Sequence, residues 1–89
     1  MSDYVDLNEQ ADQIEFNVYP NPAQNFVKIS LAEKNATVEL IDAMGRSIEN
    51  INTKNERTIT INRNGLDAGL YFIKVSGKNG SALKAVTFN

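Results

Sequence analysis

The chain has 89 residues, a formal net charge of −2, an apolar content of 42%, and neither cysteine nor histidine. That length admits one domain, which buries about 60–65% of its unfolded surface. The missing cysteines and histidines exclude a disulfide framework and a thiolate metal site, and they remove the usual general base and the commonest zinc ligand.

Charge divides the chain. Residues 1–15 hold five acids and no base, giving −5, while residues 16–89 hold six acids against nine bases, giving +3. A surplus of three spread so thinly is no nucleic-acid footprint. The acidic arm, 1–15, reads as a linker by composition. Tyr4, Leu7, Ala11 and Ile14 are spaced by three and four, which fits one weak helical face with Ser2 as its cap. No apolar run nears the roughly 20 residues of a membrane span, and no signal peptide is visible. An export signal, for a secreted module, is expected on a longer parent chain.

From residue 16 the pattern is that of strands. Phe16-Asn17-Val18-Tyr19 is a short one, closed by Pro20-Asn21-Pro22, where each proline pushes its predecessor out of helix and stiffens the bend. In 26–31, Val27, Ile29 and Leu31 point inward and Lys28 and Ser30 outward. A third strand, 37–41, meets Asp42-Ala43-Met44-Gly45, a type I turn closed by a left-handed glycine. The return strand, 46–51, has Ile48 and Ile51 three apart, which implies a bulge or a sheet edge. Residues 58–61 alternate, with Ile59 and Ile61 on one face.

Next come Asn64-Gly65, a source of positive φ, and the longest β-prone run, Leu66-Asp67-Ala68-Gly69-Leu70-Tyr71-Phe72-Ile73-Lys74-Val75. Gly69 is read as tolerating a backbone conformation that a Cβ would obstruct. Tyr71, Ile73 and Val75 share one face, while Leu70 and Phe72 share the other, the mark of a central strand covered on at least one side. Asn79-Gly80 between apolar runs signals a hairpin into the last strand, 81–88, which sets Leu83 and Ala85 against Lys84, Val86 and Phe88. Seven short strands with turns about every ten residues predict an all-β, antiparallel β-sandwich.

Candidate chemistry is sparse. The acids are scattered over polar faces and turns, where solvated charge is the default, and a paired-carboxylate mechanism wants a cleft in a larger scaffold. The chain is read as no enzyme and as needing no cofactor. Asn62, Asn64 and Asp67 offer oxygen ligands in an order unlike a calcium loop, and turn residues bonding their own backbone explain them more simply. Sugar stacking lacks tryptophan; Tyr71 and Phe72 sit where a core would take them, and Tyr19 lies against the proline bend. Asn35-Ala36-Thr37 and Asn79-Gly80-Ser81 match a glycosylation pattern but fall in turns, where asparagine is expected anyway.

Val18-Tyr19-Pro20-Asn21-Pro22, Gly45-Arg46, the run from Leu66 to Val75 and Lys84 together resemble the C-terminal sorting domain of the type IX (Por) secretion system of Bacteroidetes. The resemblance covers about residues 16–89 in motif order and spacing, and it implies an immunoglobulin-like sandwich. It implies a signal that directs a covalently linked N-terminal cargo through the outer-membrane translocon. In that family the parent enters the periplasm by an ordinary signal peptide. A sortase-like peptidase then commonly cleaves the module and joins the cargo to the cell surface. By matching position the motif residues are Pro20, Asn21, Pro22, Gly45, Arg46, Leu66, Gly69, Tyr71 and Lys84. Of these only Arg46 and Lys84 are expected to be exposed and without a folding role. The final Thr87-Phe88-Asn89 departs from the family's basic ending. The alternative is an accessory adhesion or carbohydrate-binding module of a secreted enzyme; a large upstream cargo domain, with nothing beyond Asn89, would favour sorting.

Overall fold

The computed structural model describes residues 14–78 and 80–89, so the proposed helical face of the arm, Ile14 excepted, lies outside the described residues. Seven strands form: β1 Phe16–Tyr19, β2 Phe26–Leu31, β3 Thr37–Asp42, β4 Ser47–Asn52, β5 Thr58–Asn62, β6 Gly69–Gly77 and β7 Gly80–Phe88. They make two antiparallel sheets, one ordered β1-β2-β5 and the other β4-β3-β6-β7. This three-on-four arrangement is the immunoglobulin-like sandwich expected from the sequence.

Alternation decides which side chains meet between the sheets. Val27 pairs Ile61 and Ile29 pairs Ile59 on one sheet, while Val38 pairs Val75, Leu40 pairs Ile73 and Tyr71 pairs Val86 on the other. All ten are buried, and Val27, Ile29, Val38, Leu40, Ile73, Val75 and Val86 lose all contact with solvent. The strand carrying Tyr71, Ile73 and Val75 is indeed central, flanked by β3 and β7. Its second face is open to solvent at Leu70, which keeps 45% of its surface.

The uneven isoleucines of β4 record both features predicted from them. β4 is an edge strand, and its register slips so that Leu40 faces Glu49 while Ile41 faces Ser47, leaving Ile48 unmatched. Ile51 then points inward opposite Val38, and Ile48 faces solvent. At the far end of the chain's fold, Thr53 ties β4 back to β3: Ala36 N–H donates to Thr53 Oγ1 at 2.9 Å and Thr53 N–H to the Ala36 carbonyl at 2.8 Å. The packed body begins by Ile14, which is buried and has its Cδ1 3.2 Å from where a Cβ on Gly77 would stand.

Candidate functional site: one end of the sandwich

Strand register places eight of the nine motif residues at a single end. Asp42, before the β3–β4 turn, pairs with Tyr71. Gly69 pairs with Phe88, and Ala23 forms a parallel bridge to that same Phe88. Phe26 at the start of β2 pairs with Asn62 at the end of β5. The connections 20–25, 43–46 and 63–68 therefore converge, and with them Pro20, Asn21, Pro22, Gly45, Arg46, Leu66, Gly69 and Tyr71. Lys84 is the exception: it sits halfway along β7 opposite Ile73.

The β3–β4 turn is built on Asp42. Gly45 N–H donates to the Asp42 carbonyl at 3.0 Å, and Gly45 has φ +89°. Met44 N–H and Arg46 N–H both donate to Asp42 Oδ1, at 2.9 and 2.8 Å, and Arg46 Nε donates to Oδ2 at 2.8 Å. The Arg46 backbone N–H holds the Asp42 carboxyl below the usual carboxylate range; it outweighs the opposing effect of burial, and the Arg46 guanidinium and the Met44 N–H add smaller shares. Arg46 thus has a folding role, contrary to the expectation from sequence. A short polar side chain at the first turn position satisfies the backbone beyond it, and the arginine closes the loop.

The approach to β6 turns on Arg63. Asn64 and Gly65 have φ +53° and +80°, and Leu66 N–H donates to the Arg63 carbonyl at 3.0 Å, as in a type I′ turn. Arg63 Nε donates to the Leu66 carbonyl, and its Nη1 to the carbonyls of Gln24 and Asn89. The guanidinium lies 5.4 Å from the Phe88 ring centre. One side chain thereby fastens two connections, 20–25 and 63–68, and the end of β7 together. Nothing in the spacing singled Arg63 out; the only sequence signal was a long multidonor side chain beside a tight turn.

Tyr71 is a core anchor as expected. Its hydroxyl donates to the Asp67 carbonyl at 2.7 Å, four residues upstream, and its ring meets Phe88 edge-on with centroids 5.4 Å apart. This is the bond a tyrosine corner makes in immunoglobulin-like sandwiches. Leu66 packs half-buried against the same core. Gly69 has φ +145°, and a Cβ there would meet open space. Its requirement is backbone conformation, the freedom from a Cβ that the sequence reading assigned to it.

The proline bend runs along β7. Both X-Pro bonds, Tyr19–Pro20 and Asn21–Pro22, are cis. Asn21 reads the edge of β7 like a backbone: its Nδ2 donates to the Ala85 carbonyl and its Oδ1 accepts from Thr87 N–H, each at 3.1 Å. Ala23 N–H donates to the Thr87 carbonyl at 2.7 Å, and Asn89 N–H to the Ala23 carbonyl at 2.8 Å. Lys84 is exposed as expected but, like Arg46, has a folding role. Its Nζ donates to the Phe16 carbonyl at 2.6 Å and stands 5.2 Å from the Phe16 ring centre, so it links β7 to β1.

Two shallow clefts, of about 410 and 290 Å³, flank the 65–70 segment and share Asp42, Arg46 and Tyr71 in their walls. Arg46 keeps 74% of its side-chain surface between them, with Met44 and Leu70 exposed beside it. The described residues contain no group of three or more acids that could hold a metal ion. What this end offers is shape, exposed apolar side chains and fixed backbone groups.

Residues 17–89 match the profile of a family described as the secretion system C-terminal sorting domain (Por_Secre_tail), and the chain belongs to that family. It is a C-terminal sorting signal of type IX secretion. Membership implies the secretion machinery as its partner and export to the outer membrane, cell surface or medium as its outcome. Among solved structures the chain is similar to PorZ, an essential bacterial surface component of the type-IX secretion system of Porphyromonas gingivalis. The TM-score is 0.74 at 21% identity, over 83% of this chain and 11% of PorZ. That likeness is one of fold, and the chain spans about a tenth of PorZ's length. No match was found among curated proteins.

Proposed function

We propose that the sandwich is read in its folded state, at the end where the motif residues converge, by the outer-membrane translocon of the type IX system. The observation that supports this is the convergence itself: Pro20, Asn21, Pro22, Gly45, Arg46, Leu66, Gly69 and Tyr71 are separated by up to 51 positions and meet only through the fold. Their bonds go to neighbours in the same turns and to the edge of β7, so their collective product is a surface. That surface carries Arg46, Met44 and Leu70 outward on a rigid base.

In this reading the cargo precedes the sandwich on the same chain and crosses the periplasm with it. The acidic arm, 1–15, is the junction, and residues 16–89 are the signal. A sortase-like peptidase cuts upstream of the packed body, because polar connecting chain admits a protease and a hydrogen-bonded strand does not. Neither step requires chemistry from this chain.

The experiment places the 89 residues behind a periplasmic reporter in a host that has the type IX system. The reporter is expected at the cell surface. Removing residues 83–89 strips Val86 and Phe88 from the core and should leave the reporter in the periplasm. A reporter that still reaches the surface after that deletion would overturn the reading and bring the accessory adhesion or sugar-binding module forward.

A further inference from the structure

β7 is an edge strand, and only half of its edge is covered. Thr87 turns both its N–H and its carbonyl away from β6, since they bond to Asn21 and Ala23. By the alternation of an antiparallel ladder, Ser81, Leu83 and Ala85 turn theirs the same way. Asn21 takes the Ala85 carbonyl. The N–H groups of Leu83 and Ala85 and the carbonyls of Ser81 and Leu83 have no partner among the described residues. Such a row is a template for another strand.

Beside this open edge lies a groove of about 420 Å³, walled by Ile14, Phe16, Ala82, Leu83 and Lys84 among others. Leu83 keeps 56% of its surface and lies on the outer face of the sheet, next to Lys74 of β6. Lys84 lies on the inner face of the same edge and uses one of its three donors on Phe16. The open edge is therefore flanked by a cation on each face. Lys74 has Glu39 across from it on β3; among the described residues Lys84 bonds only a carbonyl and faces a ring, while Glu15 lines the same groove without an ion pair to it.

We propose that residues 81–85 of β7 receive an extended segment of the secretion machinery by strand addition, with a carboxylate of that segment on Lys84. This rests on the sorting reading above. The charge selects the occupant. A second copy of this chain, paired antiparallel about Leu83, would bring its own Lys84 to the same inner face, diagonal to the first, where like charges repel. An acidic segment from another protein meets the cation and supplies the missing backbone partners, as in other recognition by strand addition. The cap at 21–23 fixes the register, because it blocks the ladder beyond Ala85.

The test uses the reporter fusion. Leu83→Pro and, separately, Ser81→Pro each remove one outward N–H and no bond to β6, the placement in which an edge strand tolerates proline. Leu83→Thr keeps the N–H. Both proline variants should melt within about 4 °C of the parent and export at least about tenfold less, the equivalent of roughly one lost hydrogen bond. Leu83→Thr should export normally. Lys84→Glu should export less than Lys84→Gln, with no change to the backbone. If the parent is exported and the folded proline variants match it, strand addition is wrong and the sorting reading stands. If Leu83→Pro fails to fold, Ser81→Pro and the Lys84 pair decide. A parent that sediments as a dimer, split to monomers by Leu83→Pro, would make the occupant a second copy and overturn the proposal. A parent that is not exported sinks both readings.

Discussion

Two residues of the β3–β4 turn show how a single position decides local structure. Gly45 holds φ +89° with no atom near the place a Cβ would take, so Gly45→Val is resisted by backbone conformation alone. A β-branched side chain is a poor fit in that region, and the variant should lose about 1 kcal/mol or more in urea or thermal melts. Unchanged melting would refute the turn. Asp42 acts through its charge. Its carboxyl titrates below the usual range because the Arg46 N–H, and after it the Arg46 side chain and Met44 N–H, favour the ionised form. A lowered folded-state pKa means that this stabilisation is complete above the ordinary carboxylate pKa and fades as pH falls through the lowered value. The parent should therefore be more stable than Asp42→Asn at neutral pH, with the gap closing in acid. Melting curves across pH would show it, and a gap that widened in acid would contradict the bonding described.

At the scale of elements, β6 is where sequence and structure agree most closely. Ile73 is fully buried opposite Leu40 and Lys84, in the middle of the larger sheet. Ile73→Ala should cost about 2–5 kcal/mol, enough to threaten so small a domain, and a loss below about 1 kcal/mol would mean that the strand faces the other way. Period-two alternation made β2, β5 and β6 legible because each has one buried face, which fixes the register of every side chain. β4 was legible for the opposite reason: its broken alternation announced an edge and a bulge. The partners of Arg46, Arg63 and Lys84 were not legible. Arg63 reaches carbonyls of Gln24 and Asn89, 39 and 26 positions away, and Lys84 reaches Phe16, 68 away. No local period encodes a long side chain meeting a distant backbone carbonyl, as Arg63 and Lys84 do, and Arg46 and Lys84 are exposed as expected while still bonding into the fold. Asn21 was read as part of a bend, yet its amide spans two groups of β7, because an amide can replace a strand's own donor and acceptor.

For the whole molecule, the sandwich has two ends with different contents. One collects the connections 20–25, 43–46 and 63–68, where eight motif residues lie; the other collects 32–36, 53–57 and the β6–β7 hairpin, with no motif residue. If recognition reads an end of a folded body, the two ends should differ in what they tolerate. Insertions into surface connections change stability little, since loop-closure entropy rises only slowly with length. A short Gly-Ser loop placed beside Asn55, which is exposed at the far end, should leave both folding and export of the reporter near normal. The same loop between Ala43 and Met44 displaces Arg46 and covers the clefts beside Tyr71. It should abolish export while the core, built from residues outside the turn, still melts cooperatively. The comparison needs both melting and surface display of the reporter. Equal export from the two folded insertions would show that the converging end is an architectural necessity only. The open edge of β7, which runs along the side of the sandwich, would then be the surface that the translocon reads.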